Sequence, residues 1–148
     1  MKTHRIVSDI ASLLLAMLFA YTAFTKWVDW QGTKSALYNQ VFPIWMAEGI
    51  LYGLPIIELA VAAMLLVNKW RRWGLWCSAM LMWLFIGYVA LVMTGIFGRI
   101  PCSCGGVIGS LGWGEHLAVN IGFLMIAIIG LHYHKKIDNV ELDLPSGR

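Results

Sequence analysis

Four long apolar runs dominate the chain, at about Ile6–Phe24, Gly49–Val67, Trp73–Phe97 and Glu115–Leu131, with short polar or aromatic connections between them. A hydrocarbon core is crossed by about 20 mainly apolar residues in helical form. Backbone groups at that depth find no water, so each run must satisfy its own hydrogen bonds, which favours helix over strand. The pattern predicts an all-α integral membrane protein, a four-helix transmembrane bundle forming one domain over residues 1–148. Lys2, His4 and Arg5 precede the first run as they would a signal peptide. The run is longer than a signal core, however, and carries on through Phe19, Tyr21 and Phe24, so it is read as a retained span.

The connections refine this picture. Residues Asp29–Ala47 hold Trp30, Tyr38, Phe42 and Trp45, with Pro43 expected to break any helix, and read as an interfacial segment. Trp27, Trp70, Trp73, Trp76 and Trp113 mark helix ends at headgroup level. The polar stretch 135–148 is expected to be a disordered tail. Apolar residues make up 59% of the chain and charged ones 13%, against about 25% charged in an average soluble domain. The formal net charge of +3 is spread over the ends of the apolar runs, which argues against nucleic acid as a partner. Lys2, Arg5, Lys69, Arg71, Arg72, Lys135 and Lys136 fall on one side of the expected bundle. Lys26, Lys34 and Arg99 fall on the other, countered by Asp29, Glu48 and Glu115. The positive-inside rule then places both termini in the cytoplasm and the connection before the fourth helix outside, in the periplasm if the membrane is a bacterial inner membrane.

That connection carries Arg99-Ile100-Pro101-Cys102-Ser103-Cys104-Gly105-Gly106. On the outer, oxidising side paired thiols can cycle as a disulfide. A bridge between residues two apart closes a small, strained ring, and strained or exposed bridges tend to be labile or catalytic. Gly105 and Gly106 permit close approach of a partner backbone, while Arg99 and the start of the fourth helix favour a thiolate. His116 can exchange protons with it, and Cys104, nearer the helix start, is the expected protected member of the pair. Cys77 falls at the opposite side of the membrane and reads as a packing thiol. Three other readings stay open: a static bridge that braces the loop, a non-catalytic scaffold subunit containing such a bridge, and a copper or zinc site of Cys102, Cys104 and His116. The metal site is disfavoured because zinc ligands are usually spaced more widely.

A second candidate is Glu58, in Leu54-Pro55-Ile56-Ile57-Glu58-Leu59. Counted from Gly49 it sits roughly 13 Å deep, where an ionisable group costs about 2.5 kcal/mol or more and usually faces the bundle interior. It reads equally as a proton-handling group, a contact to a bound small molecule such as a quinone, or a member of an interhelix hydrogen bond. Pro55, one turn earlier, is expected to kink its helix. Lys26 reads as snorkelling to the interface, Asp9 as pairing with Arg5, and His116 and Asn120 as sharing one helix face.

Tyr21-Thr22-Ala23-Phe24-Thr25-Lys26-Trp27 at the end of the first span, Pro55-Ile56-Ile57-Glu58-Leu59 in the second and Cys-x-Cys-Gly before the fourth together resemble the MauE branch of the DoxX-like membrane proteins, over about residues 5–134. The resemblance implies a redox role beside a periplasmic thioredoxin-like partner, with methylamine utilisation as the associated pathway. The architecture is also similar to the quinone-linked disulfide-forming enzymes of the DsbB and vitamin K epoxide reductase type. Those use Cys-x-x-Cys and usually a second, shuttling outer pair, whereas here Cys102 and Cys104 alone are expected to face outward, which weakens the case for quinone chemistry. The combined expectation is an inner-membrane thiol-disulfide redox protein with Cys102, Cys104 and His116 as its reactive groups and Glu58 lining the bundle.

Overall fold

The computed structural model describes residues 2–41, 43–96 and 113–143. It contains α1 (Lys2–Val28), α2 (Trp30–Tyr38), α3 (Ile44–Leu66), α4 (Arg71–Met93) and α5 (Trp113–Asp143), and no strand among the described residues. The all-α expectation holds: α1, α3, α4 and α5 are each long and apolar enough to cross a membrane. At 23 residues, α3 and α4 are each about 34 Å long.

The short helix was not expected. Asp29 caps it by accepting a hydrogen bond from the Gly32 amide at 3.1 Å, satisfying one of the donors a helix start leaves open. A Cβ on Gly32 would lie 2.2 Å from the Asp29 carboxylate, so glycine is what lets the cap close. Pro43 then acts as the start signal of α3 rather than a breaker: its carbonyl accepts from the amides of Met46 and Ala47 at 3.0 and 3.1 Å. Pro55 is buried within α3, and the helix continues through it.

The helix ends also differ from the apolar runs for local reasons. Gly95 adopts φ +69° and donates its amide to the Val92 carbonyl, a left-handed turn that stops α4 at Met93, short of the expected Phe97. In the other direction α5 carries on through Asp143, so the expected tail is helical over 135–143, while 144–148 lie outside the described residues.

The four long helices form a ring in the order α1, α3, α4, α5. Each packs on its two ring neighbours, α1 and α4 also meet across one diagonal, and α3 and α5 on the other diagonal have no contact among the described residues. The direction of the helices follows from three close approaches. Gly74 near the start of α4 lies against Leu65 near the end of α3, and Gly130 of α5 meets both Leu75 of α4 and Ala11 of α1. Successive long helices therefore run antiparallel, and the bundle has two distinct ends. At one, Arg71 donates to Asp9 of α1 and to the Leu65 carbonyl at the end of α3. At the other lie the end of α1, α2 and the start of α3.

Between the ends the core consists of Leu15, Ala16, Phe19, Val61, Ala62, Leu65, Leu75, Met82 and Ala127. Leu13, Met17, Phe24, Ile56, Ile57, Trp83, Met125 and Ile128 face outward. A soluble monomer rarely exposes so continuous an apolar surface, whereas lipid accommodates it at no cost.

Candidate functional site

Thr22, Lys26 and Glu58 make the bundle's buried charged site. Glu58 lies on the interior face of α3 with Leu51, Pro55, Ala62 and Leu65, one or two turns apart on the same stripe. Its side chain is 2% exposed. Burial at that depth requires a counter-charge or a donor, and both come from α1. Lys26 Nζ donates to Glu58 Oε1 at 2.9 Å and to Oε2 at 3.0 Å, gripping both carboxylate oxygens. Its remaining proton is directed to the Thr22 carbonyl at 3.3 Å, one turn back toward the start of α1. Lys26 thus turns into the bundle, not out to the interface as expected, and is only 25% exposed. The Thr22 side chain lies against the same carboxylate.

Above this pair, α2 covers the end of the bundle. Tyr38 donates its hydroxyl to Glu48 Oε1 at 3.2 Å, and the Trp30 and Tyr52 rings lie 5.2 Å apart. Gln40, buried just past α2, accepts from the Tyr88 hydroxyl of α4 and donates to the Ala36 carbonyl at 3.3 Å. The Trp30–Tyr52 contact stands six residues, about 9 Å along the helix, before Glu58. An aromatic belt at that level puts Glu58 about 9 Å inside one face of a hydrocarbon core about 30 Å thick, between that face and the bilayer middle.

Of the residues singled out from sequence, Glu58 is at the centre of this site. His116 is half-buried in the first turns of α5, on the helix diagonally opposite α3, so the fold does not bring His116 and Glu58 together. Asn120 is likewise half-buried one turn later. Cys102 and Cys104 lie outside the described residues; in the chain they stand between the end of α4 and the start of α5. Cys77 is a half-buried free thiol packed against the core. Asp9 pairs with Arg71 across helices. Among the described residues no group of three or more His, Cys, Asp and Glu side chains could hold a metal ion.

Sequence reading missed Lys26 as the partner of Glu58. The available signal was an acidic residue inside one span and a basic residue near the end of the span before it, since either alone is costly in a membrane. Gln40 and Tyr88 gave no such signal, because uncharged polar residues near an interface need no partner.

Four apolar spans around a small core, the interior Lys26–Glu58 ion pair and an aromatic-rich cap define a multi-pass α-helical membrane protein. A family model described as methylamine utilisation protein MauE matches residues 4–133, and the chain belongs to that family. Searches of curated proteins and of solved structures return no match.

Proposed function

We propose that this is an inner-membrane thiol-disulfide redox component that exchanges electrons with a periplasmic thioredoxin-like protein through Cys102 and Cys104. The observation that carries the reading is the Cys-x-Cys-Gly-Gly segment itself, placed in the sequence between α4 and α5. By chain connectivity it joins the bundle at the end covered by α2, which the distribution of Lys and Arg assigns to the periplasm, with both termini in the cytoplasm. Membership of the MauE family supports the redox role and offers methylamine utilisation as its setting.

The exchange follows ordinary thiol chemistry. A thiolate of the reduced member attacks one sulfur of the oxidised member's disulfide, forming a mixed disulfide and releasing the other sulfur as a thiolate. The attacker's second thiol, deprotonated, then displaces the link. One disulfide is lost, one is formed, and two electrons with two protons change hands. His116, at the start of α5, is assigned the proton exchange with the Cys102–Cys104 pair. Glu58 and Lys26 hold α3 against α1 beneath the cap and form a buried ion pair in the interior.

Replacing both Cys102 and Cys104 by Ser tests the reading in cells. The redox role predicts a normally inserted protein whose thioredoxin-like partner accumulates in the wrong thiol state, read by mass-shift alkylation. Unchanged partner thiols would leave the pair as a brace within a scaffold subunit.

A further inference from the structure

The end of the bundle remote from Glu58 holds a feature that the redox reading does not use. Among the described residues, four buried polar side-chain atoms lack a hydrogen-bond partner: His4 Nδ1, Ser8 Oγ, Ser12 Oγ and His134 Nδ1. All four lie at the Arg71 end. His4, Ser8 and Ser12 occupy successive turns of one face of α1. Because Gly130 lies against Ala11 in an antiparallel helix pair, His134, one turn further along α5, comes level with Ser8. The Tyr133 ring stacks 5.2 Å from that of His4, closing the same corner.

The two serines are the informative residues. Ser8 and Ser12 are 0% and 1% exposed, and a buried hydroxyl without a partner forfeits the hydrogen bonds it made with water in the unfolded chain. A helix offers a ready remedy, since Ser and Thr can turn back to the carbonyl three or four residues earlier. Thr22, Thr25, Ser78 and Thr94 all do this, at 3.1, 3.0, 2.7 and 2.6 Å. Ser8 and Ser12 instead point into the bundle. Ser8 and Ser12, four residues apart, are separated by about 6 Å of rise, more than one water spans with two hydrogen bonds of about 2.8 Å at its tetrahedral angle and within the reach of two waters in series.

We infer that His4, Ser8, Ser12 and His134 bind a short file of ordered water that enters the bundle from the Arg71 end. Buried water makes two to four hydrogen bonds with groups that would otherwise be unsatisfied, and imidazole nitrogens and hydroxyls accept and donate as such a file requires. The file extends about 12 Å from His4 to Ser12 and stops at Leu15 and Phe19, which are fully buried and leave no polar atom to continue it. The apolar plug separates this hydrated arm from the Lys26–Glu58 pair.

Radiolytic footprinting, in which water itself is the source of the label, tests the assignment on the full chain in lipid nanodiscs. Ser12→Cys and Leu15→Cys are each placed in a background with Cys77, Cys102 and Cys104 replaced by Ser. Bound water predicts labelling at position 12 at least about tenfold faster than at position 15, though neither site is exposed. Equal, slow labelling at both overturns the inference. Ser12→Ala in the otherwise unaltered chain gives a second readout. A hydrated file loses a partner and the thermal midpoint falls; a dry, unpartnered hydroxyl is relieved and the midpoint holds or rises, which also overturns it.

Discussion

At the residue scale the most consequential contact is the grip of Lys26 on both oxygens of Glu58. Removing one member of a buried pair strands the other charge, at a cost of about 3–5 kcal/mol; the partial exposure of Lys26 moves the expectation to the lower part of that range. Glu58→Leu and Lys26→Met are each expected to destabilise the protein by about 3 kcal/mol, and the double variant to recover most of the loss because no charge is left unpaired. A double-mutant cycle on unfolding in detergent measures this. Additive losses would show that the two side chains do not depend on each other. The pair also explains what the sequence could reveal at this scale. The need of Glu58 for an interior position is written into its place in an apolar run, whereas its partner is 32 positions away and could be found only by knowing that α1 and α3 are neighbours.

At the element scale, packing is set by close approaches at a few small residues. A Cβ on Gly74 would stand 2.9 Å from the Leu65 backbone nitrogen and 3.1 Å from the Met64 carbonyl carbon, atoms that cannot move without shifting α3. Gly74→Ala is expected to cost about 1–3 kcal/mol. Gly122→Ala, with open space around the added methyl, is expected to be neutral or to stabilise by up to about 1 kcal/mol through helix propensity. Thermal midpoints that fall equally in both variants would contradict this assignment of the α3–α4 contact. The four spans were legible because hydrocarbon selects on composition alone. Their ends were not, because they depend on single conformations: the Asp29 cap that creates α2, and the left-handed Gly95 that stops α4. The extension of α5 through Asp143 was hidden for the opposite reason, since a helix outside the hydrocarbon no longer needs apolar residues.

At the scale of the whole molecule, the antiparallel ring divides the protein into two polar ends around an apolar middle. One end is built on Lys26, Glu58 and the α2 cap, and the other on Asp9, Arg71 and the His4–Ser12 face. The Cys-x-Cys segment stands in the sequence between α4 and α5, and the thiol exchange proposed for it is the central claim. Trapping tests it most directly. In cells expressing Cys104→Ser, Cys102 is left without its resolving neighbour, so its attack on a partner's disulfide stops at the mixed disulfide. The account predicts a reductant-sensitive adduct with a thioredoxin-like protein, linked at Cys102 and absent when both cysteines are Ser. No adduct from either Cys104→Ser or Cys102→Ser, or an adduct that forms through Cys77, would contradict it.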